Sequence, residues 1–191
     1  MKAFSQILVD SWYKSVGFFW IFWPIEVIYI FFVITRRALY RFNIFSIYRA
    51  PCPVVIVGNI TVGGSGKTPV VIELAKELQR KGLKVGVISR GYGSKKKSQP
   101  LLVRRDSEPL ECGEEPLLIH TKANCPVVVH SSRSRAAELL IDNFQLDLIL
   151  SDDGLQHYNL ARDMEIIMID HLRNLGNRHC LPVGPLREPK G

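Results

Sequence analysis

Residues 54–69 read VVIVGNITVGGSGKTP, and the fold turns on this stretch. Val54–Val57 is a β-branched run of the kind a buried strand uses. Glycines follow at 63, 64 and 66, then Lys67 and Thr68. Helical spacing runs from Thr68 to Lys81, with Pro69 near its first turn and Gly82 at its end. Strand, glycine loop, Gly-Lys-Thr and helix in this order make a phosphate-binding loop. Glycine permits the backbone angles and close approach by which N–H groups wrap phosphate. On this reading the N–H groups of Gly63, Gly64, Ser65 and Gly66 surround a triphosphate. Lys67 reaches its β- and γ-phosphates, and the Thr68 hydroxyl holds Mg2+. One position departs from the usual spacing: Thr61 stands where a first glycine is expected.

Downstream, strands are expected at Lys84–Ser89, Leu101–Val103, Val127–Val129, Asp147–Ser151 and Met164–Ile169, with helices at Pro116–Lys122 and Arg133–Asn143. Several strands are continuously apolar and alternate with helices, which implies a parallel sheet covered on both faces. The expected fold is a doubly wound α/β domain of P-loop NTPase type over residues 51–191. A P-loop also needs a magnesium-side carboxylate at the end of a neighbouring strand. The apolar run Leu146–Leu150 leads to Asp152 and Asp153, either of which can serve. Thr121-Lys-Ala-Asn124 superficially resembles a guanine-reading motif, but it ends in Asn and precedes the acidic strand, so guanine specificity is excluded. Tyr92–Gln99, with Lys95, Lys96 and Lys97, reads as a solvated polar loop.

Upstream lies a different composition. Residues 16–34 read VGFFWIFWPIEVIYIFFVI, with Glu26 the only charge. As helix this run spans roughly 28 Å, close to a bilayer's hydrocarbon thickness. Trp12, Tyr13, Trp20, Trp23 and Tyr29 suit interfacial anchors, and Arg36, Arg37, Arg41 and Arg49 follow. Residues 1–50 are therefore expected to be an N-terminal membrane-associated helical segment, with the domain after it on the cytoplasmic side. Pro24 and Glu26 leave spanning against lying in the interface open. The whole chain has 191 residues, 47% of them hydrophobic, and a net charge of +7, which suits an anionic partner. Cys52, Cys112, Cys125 and Cys180 have neither zinc nor disulfide-framework spacing and read as free thiols.

The segments VGNITVGGSGKTP (57–69), SRGYG (89–93), GEEPLL (113–118), SDDGLQHYNLARDMEIIMID (151–170) and LPVGPLREP (181–189) occur in this order. Together they resemble the tetraacyldisaccharide 4'-kinases, membrane-bound kinases of lipid A biosynthesis in Gram-negative bacteria. The resemblance runs from the hydrophobic N-terminus to the last residue, and in that family a threonine stands at the Thr61 position. It implies transfer of the γ-phosphate of ATP, with Mg2+, to the 4'-hydroxyl of a tetraacylated glucosamine disaccharide 1-phosphate, giving lipid IVA at the inner membrane. Neither nucleic acid nor a protein partner is implied.

The resemblance also carries roles. Lys67 and Thr68 bind phosphate and magnesium. Asp152 and Asp153 match the family's acids, with Gln156 and His157 lining the same region. Glu114 matches the acid that helps deprotonate the acceptor hydroxyl, and Glu115 is a magnesium-side carboxylate. Glu114 replaces the family's aspartate, and an added methylene shifts a carboxylate enough to matter when geometry sets rate. Arg187, beside Glu188, is the candidate for stabilising charge on the transferring phosphoryl group. Arg133 matches a family arginine, and it also reads as a plain helix-start residue.

Family members continue into a second, smaller α/β domain that closes over the nucleotide and supplies a histidine for the catalytic acid. The chain is therefore expected to be a fragment or truncated product. A rival assignment is a membrane-tethered ATP-binding switch similar to partition-type ATPases. Their signature lysine before the paired glycines is Val62 here.

Overall fold

The computed structural model describes residues 11–13, 17–63, 66–93 and 98–189. Gly64, Ser65 and Lys95–Lys97 lie outside the described residues. The chain divides into two compact units, one of Phe45–Gly58 and Gly66–Ile167, the other of Met1–Ile44, Asn59–Ser65 and Met168–Gly191. This division does not follow a boundary at residue 50, because the N-terminal helix is built into the same unit as the C-terminal segment.

The larger unit holds a six-stranded sheet of β1 (Val54–Gly58), β2 (Val85–Ser89), β3 (Leu101–Leu102), β4 (Val127–Val129), β5 (Leu148–Asp152) and β6 (Met164–Ile167). The order is β3-β4-β2-β5-β1-β6. Every neighbouring pair is parallel except β3 with β4. The mainly parallel α/β sheet expected from alternating apolar runs is thus present. Ile56, Val57, Val87, Ile88, Val127, Val128, Ile149 and Leu150 are fully buried in it. Strands buried on both faces have no need of polar alternation, hence their unbroken valines and isoleucines. β6 ends the sheet and leaves Met164 and Ile167 exposed. The last strand stops at Ile167, two residues earlier than expected.

Helices α2 (Lys67–Arg80), α3 (Pro109–Cys112), α4 (Glu114–Ala123) and α5 (Arg133–Asn143) complete this unit, while α1 (Trp23–Arg41) belongs to the other. Register decides where chemistry can sit: Val57 pairs with Asp152. The carboxyl ends of β1 and β5 therefore lie side by side, one leading to the glycine loop and the other to Asp153. Gly154 turns the chain after them, since a Cβ there would collide with the Ser151 hydroxyl.

In the smaller unit the apolar run does not form one membrane helix. Gly17–Phe22 is 3₁₀, and the α-helix starts only at Trp23, with Pro24 in its first turn. Proline favours that position because its missing N–H would be unused there. α1 then continues past Ile34 through Arg36 and Arg37 to Arg41. Among the described residues no helix is long and apolar enough to cross a membrane.

What α1 does instead follows from its inward face. Glu26 is buried, with Tyr29, Ile30 and Val33 half-buried one and two turns on. The Glu26 carboxylate accepts the backbone N–H of Cys180 at 2.6 Å and lies 3.0 Å from His179 Nδ1. The Tyr29 hydroxyl donates to the carbonyl of Arg187 at 2.7 Å. Trp20 meets the His179 ring edge-on, and Trp12 Nε1 donates to the Pro182 carbonyl at 3.0 Å. Meanwhile Trp23, Ile25, Ile28, Phe31, Phe32 and Ile34 stay exposed. The helix buries its one acid and exposes its aromatics, the reverse of a water-facing amphipathic helix.

Candidate active site

In the unit that carries the sheet, the candidate residues gather at the carboxyl ends of β1 and β5. Gly66 adopts φ 68° as the N-cap of α2, so Lys67 and Thr68 head a helix whose first N–H groups lack intrahelical acceptors. Those groups and the helix dipole favour an anion. Lys67 Nζ lies 3.6 Å from Asp153 Oδ1. Asp153 is left-handed (φ 51°), a strained backbone for a residue other than glycine. Its N–H donates to the Val57 carbonyl at 2.8 Å, which extends the β1–β5 pairing by one residue.

Asp152 is 3% exposed. Its Oδ2 accepts from the Ser89 hydroxyl at 3.3 Å, while Oδ1 is buried without a hydrogen-bond partner. Burial, reinforced by the charge of Glu115, pushes its pKa up to about 6, against the pull of Arg133 and Lys67. Arg133 is fully buried. Its Nη1 donates to the His130 carbonyl at 3.0 Å, and its Nη2 donates to the carbonyls of Asp152 and Asp153 at 2.9 and 3.2 Å. Burial brings the guanidinium down to about 10, still protonated at neutral pH.

The GEEP segment is fixed by its glycine. Gly113 has φ 91°, and a Cβ on it would stand 2.9 Å from the Tyr92 carbonyl, so the SRGYG loop lies against the start of α4. Glu114 and Glu115 are exposed in the first turn of that helix, where acids suit the dipole. The charge of Glu115 reaches Asp152. Lys67, Asp152, Asp153 and Glu115 thus come together. Glu114 adjoins them through Glu115, and among the described residues it makes no hydrogen bond or ion pair with the aspartates.

Two braces escaped sequence reasoning. Arg133 had a helix-start reading beside the family match, and only the structure shows it gripping both aspartate carbonyls. Arg162 was not singled out. Its Nη1 and Nη2 donate to the Leu155 and His157 carbonyls at 2.9 and 2.7 Å, holding the turn after the acids. An arginine serving backbone carbonyls leaves no charge pattern in sequence.

The raised pKa of Asp152 makes a stability prediction. Its folded pKa of about 6 exceeds the ordinary aspartate value of 3.8, so between these limits the folded state keeps a proton that the unfolded chain has lost. Stability from this group therefore falls as pH rises from about 4 to about 6 and levels off above, a total on the order of 3 kcal/mol. Denaturant unfolding of wild type and Asp152→Asn across pH 4–8, without metal or nucleotide, isolates it. The difference between the two proteins should change over that window and be flat above it.

In the smaller unit, residues 59–63 are held by the C-terminal segment. Thr61 is buried and bridges Leu186. The Gly63 carbonyl accepts from Asn59 Nδ2 at 3.1 Å. Val62 N–H donates to the Pro185 carbonyl at 2.8 Å, and Arg187 N–H to the Ile60 carbonyl at 2.7 Å. Residues 185–187 thus form a collar on residues 60–62, with Arg187 half-exposed on it. Among the described residues no three His, Cys, Asp or Glu side chains form a metal cage. A cage is not what Mg2+ requires, since it takes one or two carboxylates plus phosphate oxygens and water. The unpartnered Asp152 Oδ1 fits that demand.

The LpxK family model, described as Tetraacyldisaccharide-1-P 4'-kinase, matches residues 18–191. A tetraacyldisaccharide 4'-kinase of Pseudomonas syringae pv. tomato is 51% identical over 187 residues, 98% of this chain and 56% of that protein. One from Haemophilus influenzae is 51% identical over 177 residues, 93% of this chain and 53% of that protein. The crystal structure titled "apo" form LpxK from Aquifex aeolicus in complex with ATP matches with TM-score 0.75 and 34% identity, covering 88% of this chain and 53% of that one. The chain spans about half the length of the curated relatives it matches.

Proposed function

The chain belongs to the tetraacyldisaccharide-1-P 4'-kinase family, and from that premise we propose that it is the nucleotide-binding half of an ATP-dependent kinase. The fold is then of P-loop NTPase type, and the acceptor is the 4'-hydroxyl of an acylated glucosamine disaccharide 1-phosphate. The observation that carries this reading is the pairing of Val57 with Asp152, which sets two acids beside the strand that feeds the Gly-Lys-Thr loop, with Lys67 on Asp153.

In this mechanism the backbone N–H groups of Gly63, Gly64, Ser65 and Gly66 surround the phosphates of ATP, and Lys67 binds the β- and γ-phosphates. Thr68, Asp152, Asp153 and Glu115 are the residues that would hold Mg2+, which when bound neutralises charge on those phosphates. Arg133 and Arg162 keep the acids in place through their carbonyls. Glu114 accepts the proton of the sugar hydroxyl as it attacks the γ-phosphorus, and the β–γ bridging oxygen leaves with ADP. Arg187 stabilises charge on the phosphoryl group in transit. Phosphate transfer from labelled Mg-ATP to detergent-dispersed disaccharide 1-phosphate tests this, with the 191-residue chain beside a form extended to the relatives' length. Label in the lipid supports the kinase. No label from either form, despite ATP binding that depends on Lys67, points to a membrane-tethered ATP switch.

The protein works on the bilayer surface in this reading, on the cytoplasmic face of the inner membrane. The outward aromatic and aliphatic face of α1, ending in Arg36, Arg37 and Arg41, suits an interfacial helix on anionic lipid. Co-sedimentation with phosphatidylglycerol-containing vesicles is expected. Exchanging Phe31 and Phe32 for glutamate should weaken that partition by at least about tenfold, without changing the unfolding midpoint, since both rings are solvent-exposed. Equal sedimentation of the double variant would remove α1 from the lipid contact.

A further inference from the structure

We infer that the end of the sheet opposite the acids carries a second binding site, for a small amphipathic anion: an acyl or aryl group ending in a carboxylate or phosphate. The site lies wholly within the sheet-bearing unit and does not depend on the nucleotide reading. A cavity of about 360 Å³ opens where β3 ends and β4 begins. Its volume is at the lower end of ordinary ligand sites. The apolar wall consists of Val103 and Cys125, each 2% exposed, with Pro126 and Phe144 half-buried beside them. Arg104, Arg105 and His120 supply the polar wall, and no carboxylate lines the cavity. An apolar surface edged by cations alone calls for a ligand that is greasy at one end and anionic at the other.

Backbone bonds hold these cations in place. Val103 N–H donates to the Val127 carbonyl at 2.8 Å, so the ladder runs one residue past β3 and delivers Arg104 at its end. Arg104 N–H donates to the Ser107 hydroxyl at 2.9 Å, and Ser107 N–H to the Arg104 carbonyl at 3.1 Å, closing a turn that carries both arginines. Arg105 Nη2 donates to Oδ1 of Asn124, the C-cap of α4, over a long 3.4 Å. His120 Nδ1 lies 2.8 Å from the Cys125 carbonyl. A carbonyl only accepts, so Nδ1 carries the proton and Nε2 is left for a ligand. Asp106 and Glu111 line a neighbouring hollow, and among the described residues neither Arg104 nor Arg105 forms an ion pair. Two adjacent guanidiniums without a counter-charge suit an acid group, which the planar fork binds through two hydrogen bonds. Past Pro126 and Phe144 a second cavity of about 520 Å³, also without a lining acid, offers room for the apolar end.

Octanoate and octyl phosphate are the probes, titrated by NMR into the isotope-labelled 191-residue chain and into the form extended to the relatives' length. Saturable amide shifts at Val103, Arg105, Cys125 and Phe144 are expected, with a dissociation constant of about 1 mM or tighter. Octanamide, which lacks the charge, and acetate, which lacks the tail, should each bind at least about fivefold more weakly. Arg104→Gln combined with Arg105→Gln should weaken octanoate by a similar factor without moving the unfolding midpoint, because both residues are exposed. Tighter binding of octyl phosphate than of octanoate, or the reverse, assigns the acid group and supports the site either way. Equal binding of octanoate and octanamide, no saturable shift at these amides, or shifts confined to α1 overturns the proposal. So does binding by the 191-residue chain that the extended form loses, since protein then covers the cavity. If the double variant does not fold, the comparison of octanoate with octanamide on the unaltered chain decides alone.

Discussion

Lys67→Ala is expected to reduce the proposed phosphoryl transfer, in the form extended to the relatives' length, by about 10³-fold or more and to weaken ATP binding by at least about tenfold. The ammonium stands at the head of α2, 13% exposed in its side chain and 3.6 Å from Asp153. In the proposed mechanism its removal takes away the cation assigned to the β- and γ-phosphates and leaves Asp153, in its strained left-handed conformation, as an unneutralised acid. Both changes act against the same anion, so the losses in binding and rate should share a sign. The fold should survive, because the 3.6 Å separation makes this a loose ion pair and the buried strands of the sheet do not depend on it. Single-turnover transfer and nucleotide binding measured on the same preparation check this. Full binding with lost transfer would move Lys67 from anchoring ATP to acting only in the transition state.

The second large effect falls on stability. Arg133→Ala should cost roughly 3–5 kcal/mol of folding free energy, a magnitude typical of breaking a buried charged interaction. Three backbone carbonyls, those of His130, Asp152 and Asp153, accept from this one guanidinium. Deleting it leaves them without that donor, two of them at buried bonds, next to a void the size of the side chain. It also removes the positive charge that restrains the upward shift of the Asp152 pKa, so that carboxyl should rise further. Arg133→Lys can keep the charge but reaches fewer carbonyls and should fall between the two. Urea unfolding at pH 7.5 measures the series; a loss under about 1 kcal/mol for the alanine variant would show that water or a backbone shift replaces the donor.

How far the sequence revealed this molecule depends on the range over which each signal acts. The β1–loop–α2 unit was legible because glycine freedom, β-branching and helix-start chemistry all act within a few residues. β5 was legible for the same reason, an apolar run followed by two acids. α3 was missed, since four residues are too few to show a period. Glu26 read as a stray charge in an apolar segment because its partners, His179 and Cys180, lie 153 and 154 residues away. The same distance hid the grouping of residues 1–44 with the C-terminal segment. Arg133 and Arg162 were opaque because a carbonyl has no side-chain signature, and their roles exist only once strand ends are brought together. Of the expected site residues, Glu114 is the least assembled. It is exposed in the first turn of α4, after the Gly113 turn, and among the described residues it makes no hydrogen bond or ion pair with the aspartates.

The inward face of α1 has a practical consequence for anyone preparing this protein. Trimming a greasy N-terminal helix is a common route to a soluble domain, and the exposed aromatics invite it here. Yet the cut would remove the carboxylate on Cys180, the hydroxyl on the Arg187 carbonyl and the indole on Pro182. The collar around residues 60–62 would lose its support along with the greasy surface. Solubility should instead be sought by recolouring the outer face residue by residue, leaving Trp12, Glu26 and Tyr29 untouched.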